Sequence, residues 1–230
     1  VGCVQVSLEF TNVVIGKVDG RGAILYGMQG AQNSVHGRDH AERGGGARAF
    51  LNGHSRKIKL AQHDDIERMA WSMTVPARPA ELIFSVSAKL IDISSLKGGF
   101  FACNSSSYSL TRLLTNQLDA CIDVANRFYR DIQDVVEDSF INAGRGTVLG
   151  VCPYDYAAAL MIIEEAGCVV TDAFGDRFDD VLLLDSSPQN HQSIVAATNK
   201  SLHAKLLGYY DTRIVQLEEL LQRRYDAAQS

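Results

Sequence analysis

The stretch Pro153-Tyr154-Asp155-Tyr156-Ala157-Ala158-Ala159-Leu160-Met161-Ile162-Ile163-Glu164-Glu165-Ala166-Gly167-Cys168-Val169-Val170-Thr171-Asp172 reads as a helix running into a strand. Asp155 follows a proline turn and precedes an alanine-rich run, so as an acidic N-cap its carboxylate accepts bonds from free N–H groups of the first helical turn. Ala158, Leu160, Met161, Ile163 and Ala166 give the helix a wide apolar face to bury. Gly167 ends it in a left-handed cap. Val169 and Val170 then open a strand that turns at Gly175.

The pattern aromatic-Asp-x-Ala-Ala, then Ile-x-Glu-Glu-Ala-Gly-x-x-Val-Thr-Asp, resembles the C-terminal signature of the inositol monophosphatase family. These are Mg²⁺-dependent, lithium-sensitive phosphatases that include archaeal-type fructose-1,6-bisphosphatases. The resemblance implies that Asp155 is a metal ligand at a helix N-terminus, with Mg²⁺ as cofactor and a small-molecule phosphate ester as substrate. Taken alone, an Asp before a helix is an ordinary cap.

Outward from this stretch, residues 104–116 form a second strand-to-helix junction, with Ser105 or Ser106 as N-cap and Asn116 as a left-handed C-cap. Leu118-Asp119-Ala120-Cys121-Ile122-Asp123-Val124 is the following strand. The segment resembles the family's Gly-Ser-x-Ala-Leu helix and Leu-Asp-Ala strand, where the loop before the helix lines the substrate pocket. That implies substrate contacts from Asn104, Ser105 and Ser106, although the serines also serve as simple caps. Asn104 stands where glycine is usual, a replacement that a left-handed position accepts. Residues 193–207 resemble the family's closing strand and helix, with Asn199 or Ser201 as its cap and His203 as a packing histidine.

Toward the N-terminus, residues 4–10, 12–18 and 23–27 alternate as strands with hairpin turns. Their order resembles the segment that follows the family's Asp-Pro-x-Asp-Gly-Thr metal motif. Residues 29–46, polar and ending in Gly44-Gly45-Gly46, read as a mobile surface loop. His36 and His40 read as surface histidines, and the glycines lack the strand-and-helix context of a nucleotide loop. Asn52-Gly53 is a tight-turn pair. Further expected elements are a short helix over 66–73, strands over 82–87, 98–103 and 181–185, and weak helical spacing over 89–96.

Residues 125–151 depart from the family pattern as an insertion with an amphipathic helix over 126–138, and residues 214–225 form an amphipathic C-terminal helix beyond the family's usual end. The 230 residues read as a single domain, covering the C-terminal two-thirds of a complete family member, with residues 209–230 as the terminal helical segment. A layered αβαβα sandwich of the sugar-phosphatase type, lacking its first helical layer, is the implied α/β fold. Its uncovered apolar face points to a homo-oligomer.

A net charge of −5 and dispersed Lys and Arg argue against nucleic-acid binding. The five cysteines show no ligand spacing, so a reducing, cytoplasmic setting is the default. No apolar run approaches the ~20 residues of a membrane span. Two-metal phosphomonoester hydrolysis needs several carboxylates around two Mg²⁺ ions. By resemblance only Asp155 is present, and the Asp-Pro-x-Asp-Gly-Thr motif is not. Three readings follow: a phosphatase completed by residues upstream of Val1, a relative that kept the scaffold and lost catalysis, and a small-molecule binding domain that does not hydrolyse its ligand.

Overall fold

The alternating segments within residues 4–27 open an antiparallel meander in the order β1 (Cys3–Leu8), β2 (Asn12–Val18), β3 (Gly22–Gln29), β4 (Val35–Glu42), β5 (Gly46–Leu51) and β6 (His54–Arg56). The computed structural model describes residues 46–48, 54–55 and 57–229 in full, and residues 3–8, 12–18, 22–29, 35–42, 49–51 and 56 as strand backbone. The expected loop over 29–46 is corrected by β4, which pairs on one side with β3 and on the other with β5. A polar sequence holds a strand there because two neighbours satisfy both of its backbone edges, a tertiary effect that outweighs side-chain preference. His36 and His40 are four residues apart along this strand, a separation of roughly 13 Å. Leu51 pairs with His54, while Asn52, Gly53, Gly44 and Gly45 lie outside the described residues.

The second sheet has the order β10-β11-β9-β7-β8, from strands β7 (Ala70–Met73), β8 (Gly99–Ala102), β9 (Ala120–Asp123), β10 (Val169–Thr171) and β11 (Ile194–Ala197). β7 lies parallel to both β8 and β9, whereas β11 runs antiparallel to β9 and β10. Its faces separate two cores residue by residue. Trp71, Met73, Ala120, Ile122, Val195 and Ala197 face one core; Cys121, Val170, Ile194 and Ala196 face the other. A sheet covered on both sides shows no polar alternation, which explains why residues 66–73 pass for a helix in sequence and yield a strand at 70–73.

The first core is closed by α1 (Ala80–Ser94), α3 (Ala125–Asp131), α4 (Gln133–Ala143) and α6 (Lys200–Gln229). The expected strand over 82–87 belongs instead to α1, whose buried Leu82, Ile83, Val86 and Leu90 follow the helical period once 82–94 is taken as one element. Buried serines tie this helix down: Trp71 Nε1 donates to Ser94 Oγ at 2.9 Å, and Ser87 Oγ lies 3.0 Å from the Tyr210 hydroxyl of α6. Residues 126–138 make two helices, α3 and α4, broken at Ile132, and they bury Phe128, Tyr129, Val136 and Phe140 in the central core. The two expected C-terminal helices are one, α6, capped by Asn199, whose Oδ1 accepts the Leu202 N–H at 3.0 Å. Gly208 lies inside it.

Between the sheets sit α2 (Ser106–Arg112) and α5 (Pro153–Glu165), the latter packed across β1 to β5 on one side and on the second core on the other. α5 ends as its sequence demands. Gly167 has φ +97°, its N–H bonds to Glu164 O, and the Cys168 N–H bonds to Ile163 O, a Schellman closure. The Glu165 carboxylate accepts the Gly46 N–H at 3.2 Å and so joins α5 to the start of β5. The described layers thus run sheet, helices, sheet, helices, the α/β sandwich expected. The expected strand over 181–185 is absent: Leu182 and Leu184 are 64% and 66% exposed, and the Asn190 side chain holds this loop by bonds to Leu182 and Asp185.

Candidate active site

Because β7, β8 and β9 are parallel, their carboxyl ends open on the same edge of the sheet, where ligands collect in layered α/β folds. β7 runs into the loop carrying Arg78, β8 into the start of α2, and β9 ends at Asp123. Ser105 is the N-cap of α2 and accepts the Tyr108 N–H at 3.2 Å; it is buried, Ser106 half-buried and Asn104 exposed. Asn116 closes the following turn with φ +58°, as expected.

Asp155 reaches this edge from α5, with a corrected role in the helix. The N-cap is Cys152, and Asp155 occupies the third helical position, where its Oδ2 accepts the Cys152 N–H at 3.1 Å in a capping box. Pro153 takes the first position, where no N–H is needed. The Ser107 hydroxyl donates to the Asp155 carbonyl oxygen, so the helix carrying Asp155 and the helix capped by Ser105 begin against each other. Burial pushes the Asp155 carboxyl above its ordinary value, opposed by the Cys152 N–H and the charge of Arg78.

Arg78 and Asp123 are the residues that sequence reasoning passed over. Arg78 Nε and Nη2 donate to Asp123 Oδ2 at 3.3 and 2.9 Å, its Nη1 donates to Pro76 O at 3.1 Å, and Asp123 Oδ1 accepts the Ala125 N–H at 3.3 Å. Both side chains are buried. The visible signals were Pro76 and Pro79 bracketing Arg78, with Ala77 held at φ +56°, and an acid at the end of a strand already identified. His191, 3% exposed, accepts the Asn126 side-chain N–H through its backbone carbonyl and feels the charge of Arg78. Gly150 lies close against its side chain, where a β-carbon would fall 2.5 Å from ring atoms. Burial lowers its pKa and keeps the imidazole neutral. Cys152 is a buried thiol whose pKa burial raises, so it is no thiolate nucleophile.

Among the described residues, no three His, Cys, Asp or Glu side chains come together as a metal site, none of the described cysteines is in a disulfide, and no helix is long and apolar enough to cross a membrane. His203 is a packing histidine, buried and 3.1 Å from Thr171 Oγ1.

The fold is similar to that of solved structures. The chain is similar in structure to the inositol monophosphatase of Thermotoga maritima (15% identity, TM-score 0.57, 89% of this chain and 62% of that one) and to SuhB of Mycobacterium tuberculosis (16%, 0.58, 88% and 64%). It is also similar to Staphylococcus aureus SaIMPase-II with inositol monophosphate bound (16%, 0.60, 97% and 75%). It therefore spans less than two thirds of the length of the first two. No curated protein matches it in sequence. The model of the inositol monophosphatase family matches residues 15–214, and the chain belongs to that family.

Proposed function

We propose that the chain serves Mg²⁺-dependent hydrolysis of a small sugar or inositol phosphate, with Asp155 as a metal ligand and Asn104, Ser105 and Ser106 along the substrate pocket. The observation that supports it is the Ser107–Asp155 contact, which brings the two family motifs to one end of the sheet. The inositol monophosphate held by SaIMPase-II points to the substrate class.

The described residues do not by themselves fit two Mg²⁺ ions. Asp155 is a single carboxylate and Asp123 is engaged by Arg78, so the remaining ligands of this proposal lie outside the described residues. What the chain's own groups do is positional. The α5 N-terminus, where peptide dipoles favour an anion, and the Cys152 N–H hold the Asp155 carboxylate, while Ser107 fixes its backbone. Arg78 is a buried cation whose charge reaches both Asp123 and Asp155.

A second reading, a non-catalytic relative acting as a structural or interaction protein, is favoured by the Arg78–Asp123 pair, which neutralises one pocket carboxylate without any metal. The discriminating assay follows phosphate release from inositol 1-phosphate and fructose 1,6-bisphosphate at millimolar Mg²⁺, for this chain and for the product of its whole gene. The phosphatase proposal expects Mg²⁺-dependent turnover by the whole product, lost in Asp155→Asn. This chain alone is expected to be inactive, since one carboxylate cannot hold two ions. Absence of turnover in both supports the second reading.

A further inference from the structure

Where α6 crosses α3, three carboxylates surround one buried guanidinium. Arg127 of α3 donates through Nη2 to Asp211 Oδ1 of α6 at 2.7 Å and through Nη1 to Ala173 O at 2.8 Å, and its Nε lies 3.5 Å from Asp131 Oδ2. About two helical turns further along α6, Glu218 turns inward. It is only 9% exposed, its Oε1 makes no hydrogen bond and is closed to solvent, and the Asp131 carboxylate is near enough to help raise its pKa. Two carboxyl groups can share a hydrogen bond only while one of them carries a proton. Among the described residues this is no metal cluster, and a closed oxygen offers no contact to a diffusing ligand.

We propose that Glu218 and Asp131 form a proton-operated latch that holds the C-terminal end of α6 against the α3–α4 junction, closed while they share a proton and released once both ionise. The segment it would release is the part of α6 that extends past residue 214, where the family match ends. That segment covers partly buried Leu217 and Leu221 on one face and borders a groove of about 510 Å³ lined by Ile132, Glu218, Glu219, Gln222 and Arg223. From residue 223 onward every described residue of α6 is exposed.

The charges around Glu218 set the direction. Burial comes first and Asp131 second in raising its carboxyl pKa from 4.5 to about 7, with Arg127 opposing and Asp211 adding to the rise. Glu219 and Arg223 lie at the groove and are exposed. On α4, Glu137 is taken by Tyr129 and Gln133, and Asp134 is exposed. A carboxyl whose folded pKa is raised adds stability that is complete below pH 4.5 and is lost as pH climbs through about 7. Between pH 4.5 and about 7 the latch weakens by up to about tenfold per pH unit, and above about 7 it weakens no further.

Hydrogen exchange on the full chain at pH 6 and pH 8.5, with rates converted to protection factors, tests this. Amides of residues 215–222 should lose about tenfold protection at the higher pH while those of α1 and β9 do not. In Glu218→Gln the amide donates to Asp131 without titrating, and in Asp131→Asn the new amide donates to Glu218. Either variant should abolish the pH dependence, and if one does not fold the other decides. Equal wild-type protection at both pH values, or a pH dependence that survives in a folded variant, would overturn the proposal.

Discussion

Ser107 donates its hydroxyl hydrogen to the main-chain carbonyl of Asp155, which lies 48 positions further along the chain. α2 and α5 therefore start as a pair, and the Asp155 carboxylate is aimed by a buried side chain on a different strand-to-helix unit. Ser107→Ala removes that bond from a part-buried site. The expected cost is about 0.5–1.5 kcal/mol of unfolding free energy at unchanged m-value in urea titration. A cost within error of zero would show that the two helices are held by apolar packing alone.

Arg78 and Asp123 are both buried, so removing one side of the pair strands a charge. Asp123 left alone in Arg78→Met should destabilise the fold by about 3–5 kcal/mol, whereas the double change Arg78→Met with Asp123→Asn should recover much of that loss. Equilibrium denaturation of the four proteins in the cycle gives the coupling directly. Additive losses would mean that the pair, although 2.9 Å apart, contributes little beyond its packing.

The buried histidines set the acid limb of stability. Burial lowers the pKa of His203 below the ordinary 6.5, so its neutral form is the one the fold accommodates. A depressed histidine contributes stability that is present above 6.5 and lost as pH falls through the folded value. Melting temperature should therefore decline from pH 6.5 downward, and His203→Gln, which cannot charge, should flatten that decline. His191 adds a slope of the same sign, so the flattening in the single variant is partial.

Legibility followed how local the determinants were. The α5 helix was readable from Pro153 to Gly167 because proline, acid and glycine each fix a backbone position by themselves. Asn116 and Ser105 were readable for the same reason. β7 and β4 were not: Trp71 and Met73 are buried by sheets and helices contributed from elsewhere, and β4 is held by the strands on either side of it. α1 is hidden because Leu82-Ile83-Phe84 alone suits either period, and the helical repeat shows only over the whole of 82–94. Of the proposed site, Asp155 and the Ser105 loop are legible as contiguous motifs. Arg78 meets Asp123 across 45 positions, a relation visible only after β7 and β9 are known to be parallel neighbours.

The last prediction uses the cost of burying Asp155. Desolvation raises its carboxyl pKa, so at neutral pH the ionised form is held in the fold at a disadvantage that a bound cation would offset. Asp155→Asn keeps an oxygen able to accept the Cys152 N–H but removes the charge. Without Mg²⁺ the variant should then melt at the wild-type temperature or above it. On adding Mg²⁺ at about a hundred times its dissociation constant, a site built on Asp155 gains roughly 2.7 kcal/mol. For a domain of this size that is a rise of about 5–10 °C, seen in the wild type and not in the variant. Thermal melts of both proteins with and without millimolar Mg²⁺ make the comparison, and chelator restores the starting point. Equal shifts in the two would place the ion elsewhere, and no shift in either would leave Arg78 as the cation this pocket uses and favour the non-catalytic reading.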